Sequence, residues 1–215
     1  MKLKSLLILL LLGSSMKAIA VNLRFDSNSE GGVTVSGYYE DRLNVTGTIE
    51  IPSEHNGLPV TSIGSFYEYA YVTQITIPNS VTSLGYGAFE DMFMLTSITL
   101  PDSLISIGSR AFKRCNARLT NIMIPESVTS IGDEAFWNCS SLISINIPDG
   151  VTSIGNRTFG GGCSSLTSIT LPESVASIGI DAFSYCSSLS SIAIPENVTS
   201  IGNQAFKFCN SLTNV

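Results

Sequence analysis

"LTSITLPDSLISIGSRAFKRC", Leu95 to Cys115, is the stretch whose reading decides the fold, because near-copies of it recur along the chain. Aligned on the Ile-Gly or Leu-Gly pair, Gly64, Gly85, Gly108, Gly132, Gly155, Gly179 and Gly202 follow at intervals of 21, 23, 24, 23, 24 and 23 residues. Pro78, Pro101, Pro125, Pro148, Pro172 and Pro195 form a second register, each preceded by Ile or Leu. Single extra residues near "NAR" at Asn116 and "GGG" at Gly160 account for the longer intervals. A unit this short cannot bury its own apolar face, so the units must stack as a solenoid.

Within one unit, Leu95, Ile98 and Leu100 alternate with Ser97 and Thr99. That pattern predicts a short strand with one face buried. Pro101 stops the strand and, with Asp102 and Ser103, starts a turn. "SLISIG" predicts a second extended piece with Leu104 and Ile107 inward, ended by Gly108. Ala111, Phe112, Cys115 and Leu119 then follow at roughly helical spacing, which predicts a turn or two of helix.

These residues resemble the leucine-rich repeats of the BspA-like surface-protein family, whose unit runs L-x-x-L-x-L-P-x-S-L-x-x-I-G-x-x-A-F-x-x-C. The likeness covers roughly Gly57 to Val215. It implies a right-handed α/β solenoid of about seven rungs, each a short strand plus a short helical turn, with a β cap at its N-terminal end. The expected division is a signal peptide over 1–20, an N-terminal β cap over 21–56 and the solenoid over 57–215. In the cap, "GGVTVSGYYE" and "NVTGTIEI" predict strands covering the first rung. The first repeat, "SFYEYAYVTQ", is two residues short and lacks both the Ala-Phe pair and the cysteine. The chain stops at "SLTNV" inside a unit, which suggests a truncated product, a fragment or a last rung covered by a partner.

The opening "MKLKSLLILLLLGSSMKAIAVN" has a basic start, an apolar run and the small-x-small triplet Ala18-Ile19-Ala20, the anatomy of a cleaved secretory leader. Its apolar run is too short to span a bilayer, and no transmembrane segment is expected in the mature chain. Removing Lys2, Lys4 and Lys17 from the 11 basic residues leaves 8 against 17 acidic ones, a net charge of −9. With no basic cluster, that charge disfavours nucleic acid as a partner.

Cys115, Cys139, Cys163, Cys186 and Cys209 share one place in the unit, 24, 24, 23 and 23 residues apart. Three considerations set core filling above disulfides. The count is odd, and equivalent positions point the same way. Thiols on packed helices would also sit about 8–10 Å apart, beyond the roughly 7 Å reach of a disulfide. Met92 holds the cysteine's place in the second rung and can only fill volume. Zinc needs converging ligands, which a ladder drawn out along an axis does not supply. His55, the single histidine, lies in "SEHNG" and reads as a solvated loop residue without a nucleophile nearby. No catalytic residue, metal site or cofactor is expected.

The resemblance makes the outward face of the long strands the candidate binding surface. It comprises Gln74, Thr76, Ser97, Thr99, Asn121, Met123, Ser144, Asn146, Ser168, Thr170, Ser191 and Ala193. The expected partner is a protein of a host or neighbouring-cell surface, since the family is associated with adhesion. The alternatives are that the chain is a spacer in a larger surface protein, or that it binds carbohydrate or cell wall through N-terminal aromatics. The candidate aromatic patch is Tyr67, Tyr69 and Tyr71, with Tyr38, Tyr39 and Phe66 beside Glu40, Asp41 and Glu68. Packing of the cap onto the first rung is the preferred account of these aromatics. The post-proline row Asn79, Asp102, Glu126, Asp149, Glu173 and Glu196 predicts a wet acidic edge, with calcium or a basic partner as the alternative. Asn44, Asn138, Asn156 and Asn197 begin Asn-x-Ser/Thr sequons, which a Ser/Thr-rich chain produces by chance.

Overall fold

The computed structural model describes residues 6–8, 21–37 and 45–213. Apart from Leu6–Ile8, the expected leader lies outside the described residues, as do Tyr38, Tyr39, Glu40, Asp41 and Asn44. The repeats build two parallel sheets, joined at one side by a ladder of turns. The first sheet contains β4 (Gly47–Glu50), β7 (Val72–Thr76) and β9 (Ser97–Thr99), paired in parallel. It continues as β11 (Asn121–Ile122) with β13 (Ser144–Ile145), then β15 (Ser168–Thr170) with β17 (Ser191–Ala193). The second sheet runs β3 (Val33–Gly37), β6 (Leu58–Ile63), β8 (Ser83–Leu84), β10 (Ser106–Ile107) and β12 (Ser130–Ile131). The same layer continues as a separate three-stranded sheet of β14 (Ser153–Ile154), β16 (Ser177–Ile178) and β18 (Ser200–Ile201). Through β17 an Ile, Leu or Val of each strand in both sheets is buried and the Ser, Thr or Asn beside it faces out, whereas Ile201 of the last strand, β18, is exposed.

At the N-terminal end, β2 (Val21–Ser27) pairs antiparallel with β3 and with β1 (Leu6–Ile8). The two-residue β5 (Glu54–His55) folds back on β6. His55 is 7 % exposed, with its ring stacked on Phe25 at 3.9 Å between centroids. The expected solvated loop histidine is therefore a packing element of the cap.

The stretch after each Ile-Gly pair is not helical, which corrects the α part of the expected fold. Its amides alternate between two destinations. Those of Arg110, Phe112 and Arg114 donate to the carbonyls of Asp133, Ala135 and Trp137 on the next rung, at 3.0, 2.8 and 2.9 Å. Those of Ala111, Lys113 and Cys115 donate three residues back, to Gly108, Arg110 and Phe112. Arg110 and Arg114 have φ of 61° and 60°, as a type II turn requires at its third residue. The pairs Glu134/Asn138, Asp181/Tyr185 and Gln204/Phe208 repeat the conformation. The spacing of Ala111, Phe112 and Cys115 imitates one helical turn. A helix, however, would need their carbonyls for its own i→i−4 bonds, and a piece so short does not sustain itself. Bonds to the neighbouring rung win.

Close stacking also explains the repeated glycine. A Cβ on Gly179 would stand 2.6 Å from the carbonyl carbon of Gly155, and one on Gly108 2.7 Å from that of Gly85. Rung meets rung there through backbone alone.

The core is a continuous column. Phe66, Phe89, Phe112, Phe136, Phe159, Phe183 and Phe206 succeed one another at 6.2, 5.4, 5.3, 5.5, 5.4 and 5.4 Å between ring centroids. Each stacked pair adds about 0.5–1.5 kcal/mol beyond its buried area. The irregular first repeat keeps this scheme. Phe66 opens the column, its amide donates to Ala88, and Glu68 takes the positive φ (61°).

Candidate functional site

Parallel register carries the strand-face residues into two columns. Gln74, Ser97 and Thr76, Thr99 are paired across β7 and β9, Asn121 with Ser144 across β11 and β13, and Ser168, Thr170 with Ser191, Ala193 across β15 and β17. An isolated bridge between Asn146 and Thr170 joins the last two blocks. Eleven of the twelve are exposed, and Asn146 is half-buried. Its amide donates to the Ile124 carbonyl at 2.8 Å, and its amide oxygen accepts from the Ile124 N–H at 2.9 Å. Asn146 thus substitutes for a backbone pair and is held by the fold rather than offered to a ligand. Ser144 donates to the Asn121 amide oxygen at 2.6 Å. Met123, 75 % exposed, is the large apolar side chain of this face.

The expected aromatic patch separates. Tyr69 is 1 % exposed and packs edge-on against Phe66 at 5.5 Å, beneath Gly37, where a Cβ would overlap its ring. It occupies the place held by cysteine in later rungs and seats the cap. Tyr67 and Tyr71 stay at the surface. The Tyr67 hydroxyl is hydrogen-bonded to Glu68, which lifts its pKa to about 12 and keeps the phenol neutral.

All five cysteines are free and buried. The thiols of Cys115, Cys139, Cys163, Cys186 and Cys209 donate to the carbonyls of Phe89, Phe112, Phe136, Phe159 and Phe183, at 3.1 to 3.3 Å. Each therefore fills volume and also ties its rung to the one before. Burial pushes the Cys115 and Cys139 thiols well up, so they are poor nucleophiles. Helix spacing does not separate the thiols, because the rungs stack at the strand distance of about 4.8 Å. Parallel side-chain direction and the carbonyl partners are what leave these thiols unpaired.

The neighbours of each cysteine point outward. Asn138 and Ser140 flank Cys139, Gly162 and Ser164 flank Cys163, Tyr185 and Ser187 flank Cys186, and Phe208 and Asn210 flank Cys209. With Gly161 they line an open groove of about 550 Å³ across four rungs. The residues that flank every cysteine are the sequence signal for it.

Toward the N-terminal end the turn ladder is charged instead. Asp91, 2 % exposed, receives both guanidinium arms of Arg114, which raises the arginine's pKa. Glu134 accepts from Lys113 at 2.7 Å and Arg110 at 2.9 Å. Its partial burial favours the neutral acid, but these two cations outweigh that and hold the carboxyl below its usual range. Nearby Glu90 is pushed up by burial, against the pull of Lys113. Every cation of this cluster has an acidic partner, so it reads as rung-to-rung fastening.

The acidic row after the prolines is exposed from Asn79 to Glu196. Among the described residues, no three carboxylates, histidines or thiols converge as a metal would require. No described helix is long and apolar enough to cross a membrane. Asn156 bonds Asp133 and the Ile180 amide, and Asn197 bonds the Glu173 carbonyl, so both sequons double as rung contacts.

Six copies of the BspA type leucine rich repeat region match the chain, over residues 61–164 and 115–215. Among solved structures, a leucine-rich repeat protein of T. pallidum is 29 % identical with a TM-score of 0.79, covering 89 % of this chain and 88 % of its own. One from Bacteroides ovatus is 30 % identical with a TM-score of 0.62, covering 86 % of this chain and 55 % of its own. No curated protein matches.

Proposed function

The chain belongs to the BspA-type leucine-rich repeat family, and from that premise we propose that it is a non-catalytic binding protein of the cell exterior. The leader over 1–20 exports it, and the long-strand sheet face holds a protein ligand on a host or neighbouring-cell surface. Solenoids of this kind present extended surfaces that serve as binding platforms. The observation that carries the reading is the face itself. Eleven small or neutral side chains stand exposed in register, with Met123 projecting among them. Methionine is enriched and charged residues are depleted at the centre of protein interfaces. Because Asn146 is bound to Ile124, the contacts fall to the hydroxyls around Met123.

The test is a screen of the purified chain against extracellular host and bacterial surface proteins by biolayer interferometry. Any binder is then measured against Met123→Lys and Thr99→Arg. Loss of binding by tenfold or more, with unchanged melting temperature, supports the face. A binder indifferent to both substitutions removes it.

A further inference from the structure

The groove beside the cysteine column has its own chemistry. Tyr185 and Phe208, 50 % and 51 % exposed, stand side by side with centroids 4.8 Å apart and planes tilted by 39°. Two such rings in water form a costly apolar surface unless something covers them. They are held outward by their backbone, with φ of 64° and 58°. Non-glycine residues adopt that conformation at a cost of about 1–2 kcal/mol, and at Tyr185 a bond from its N–H to the Lys207 carbonyl, 2.7 Å, maintains it.

The floor is low. The insertion places Gly161 and Gly162 at φ of 68° and 107°, and a Cβ on Gly162 would meet only the amide oxygen of Asn138, 3.6 Å away. Asn138 and Asn210 border the groove, and their side-chain amides make no hydrogen bond among the described residues. Each amide offers a donor and an acceptor side by side. The lining residues are uncharged at neutral pH, and a cation beside them, Lys207, stands over the Phe208 ring with its Nζ 5.3 Å from the centroid.

We propose that this groove binds a neutral oligosaccharide, one pyranose ring lying on Tyr185 and Phe208 with the Asn210 amide beside it, and a further sugar unit reaching the amide of Asn138. A pyranose has an apolar C–H face and a rim of hydroxyls. It matches a surface that carries two aromatic rings on its last two rungs, with the Asn210 amide beside them and the Asn138 amide at the far end. The volume of about 550 Å³ suits one or two sugar units. An extended peptide fits less well, because strand addition needs a free sheet edge. The amides of Asn138, Tyr185 and Ser187 already donate to in-rung or next-rung carbonyls. This site is separate from the strand face, so the two readings succeed or fail independently.

The chain's single tryptophan supplies the readout, since the Trp137 indole lies against Gly161, where a Cβ would come within 2.2 Å of it. Cellotetraose, maltotetraose, mannotetraose and chitotetraose are titrated to millimolar concentration. Trp137 emission and the side-chain amide NMR signals of Asn138 and Asn210 are followed together. At least one sugar should give a saturable change, with Kd raised tenfold or more in Tyr185→Ala and Phe208→Ala and unchanged in Thr99→Arg. Tyr185→Asn, better suited to a positive φ, guards against a folding defect and should weaken binding equally. Absence of a saturable response in both signals for all four sugars overturns the proposal. So does binding that survives the aromatic substitutions, or a groove that answers only to peptides.

Discussion

Cys139 illustrates how one residue serves two purposes. Its side chain fills the space behind the phenyl column, and its thiol donates to the Phe112 carbonyl at 3.1 Å. Substituting Cys139→Ala should cost about 1–2 kcal/mol for the lost volume, read as a lower melting temperature with binding unaltered. Thiol reagent should leave the native protein untouched, because burial disfavours the thiolate. The denatured, unreduced protein should titrate five thiols; three or one would show that rungs had closed into disulfides. That the cysteine was core could be read from Met92, which replaces it in the chain. The hydrogen bond could not, because its acceptor lies 27 residues away and only stacking brings it near. Tyr69 is the converse case. Its neighbours Tyr67 and Tyr71 suggested an exposed cluster, yet Tyr69 sits where later rungs have cysteine, in contact with Phe66 and under Gly37.

At the scale of elements, the strands were legible and the turn ladder was not. Alternation over Leu95 to Leu100 has one explanation, a strand buried on one face, and β9 with its parallel partner bears this out. The Ala-Phe-x-x-Cys segment has two, because helical turns and chains of β-turns both bring positions i, i+1 and i+4 to one side. The choice was made by carbonyls of the adjacent rung, and it shows in the paired positive φ at Arg110 and Arg114. The repeated glycine likewise reads in sequence as a break. In the structure it is the place where backbones touch. Gly179→Ala should therefore destabilise by about 1–3 kcal/mol, since the new methyl would meet the backbone of Gly155 and Asn156 and no side chain can yield. Thermal or urea denaturation measures this, and a neutral result would mean that the rungs separate more readily than their spacing indicates.

For the whole molecule, stability is the sum of contacts between successive rungs: phenyl on phenyl, thiol to carbonyl, hydroxyl to carbonyl, amide to carbonyl. The outer faces are then released from structural duty and can differ from rung to rung, one hydroxyl-rich around Met123, another aromatic around Tyr185 and Phe208. A leader of the kind read in residues 1–20 should be removed on export, so the N-terminus of the secreted product, sequenced directly, should be Val21. A retained Met1 would contradict export by that leader. The amino-acid sequence by itself determined the solenoid, its period, its parallel strands and the inward place of the cysteines. Each of these follows from a hydrophobic pattern that every rung repeats. The turn ladder, the burial of Tyr69 and His55, the fixed amide of Asn146 and the groove between cysteine neighbours were decided only by the tertiary structure. Their partners lie one rung away, at distances that stacking makes short and the linear chain does not express.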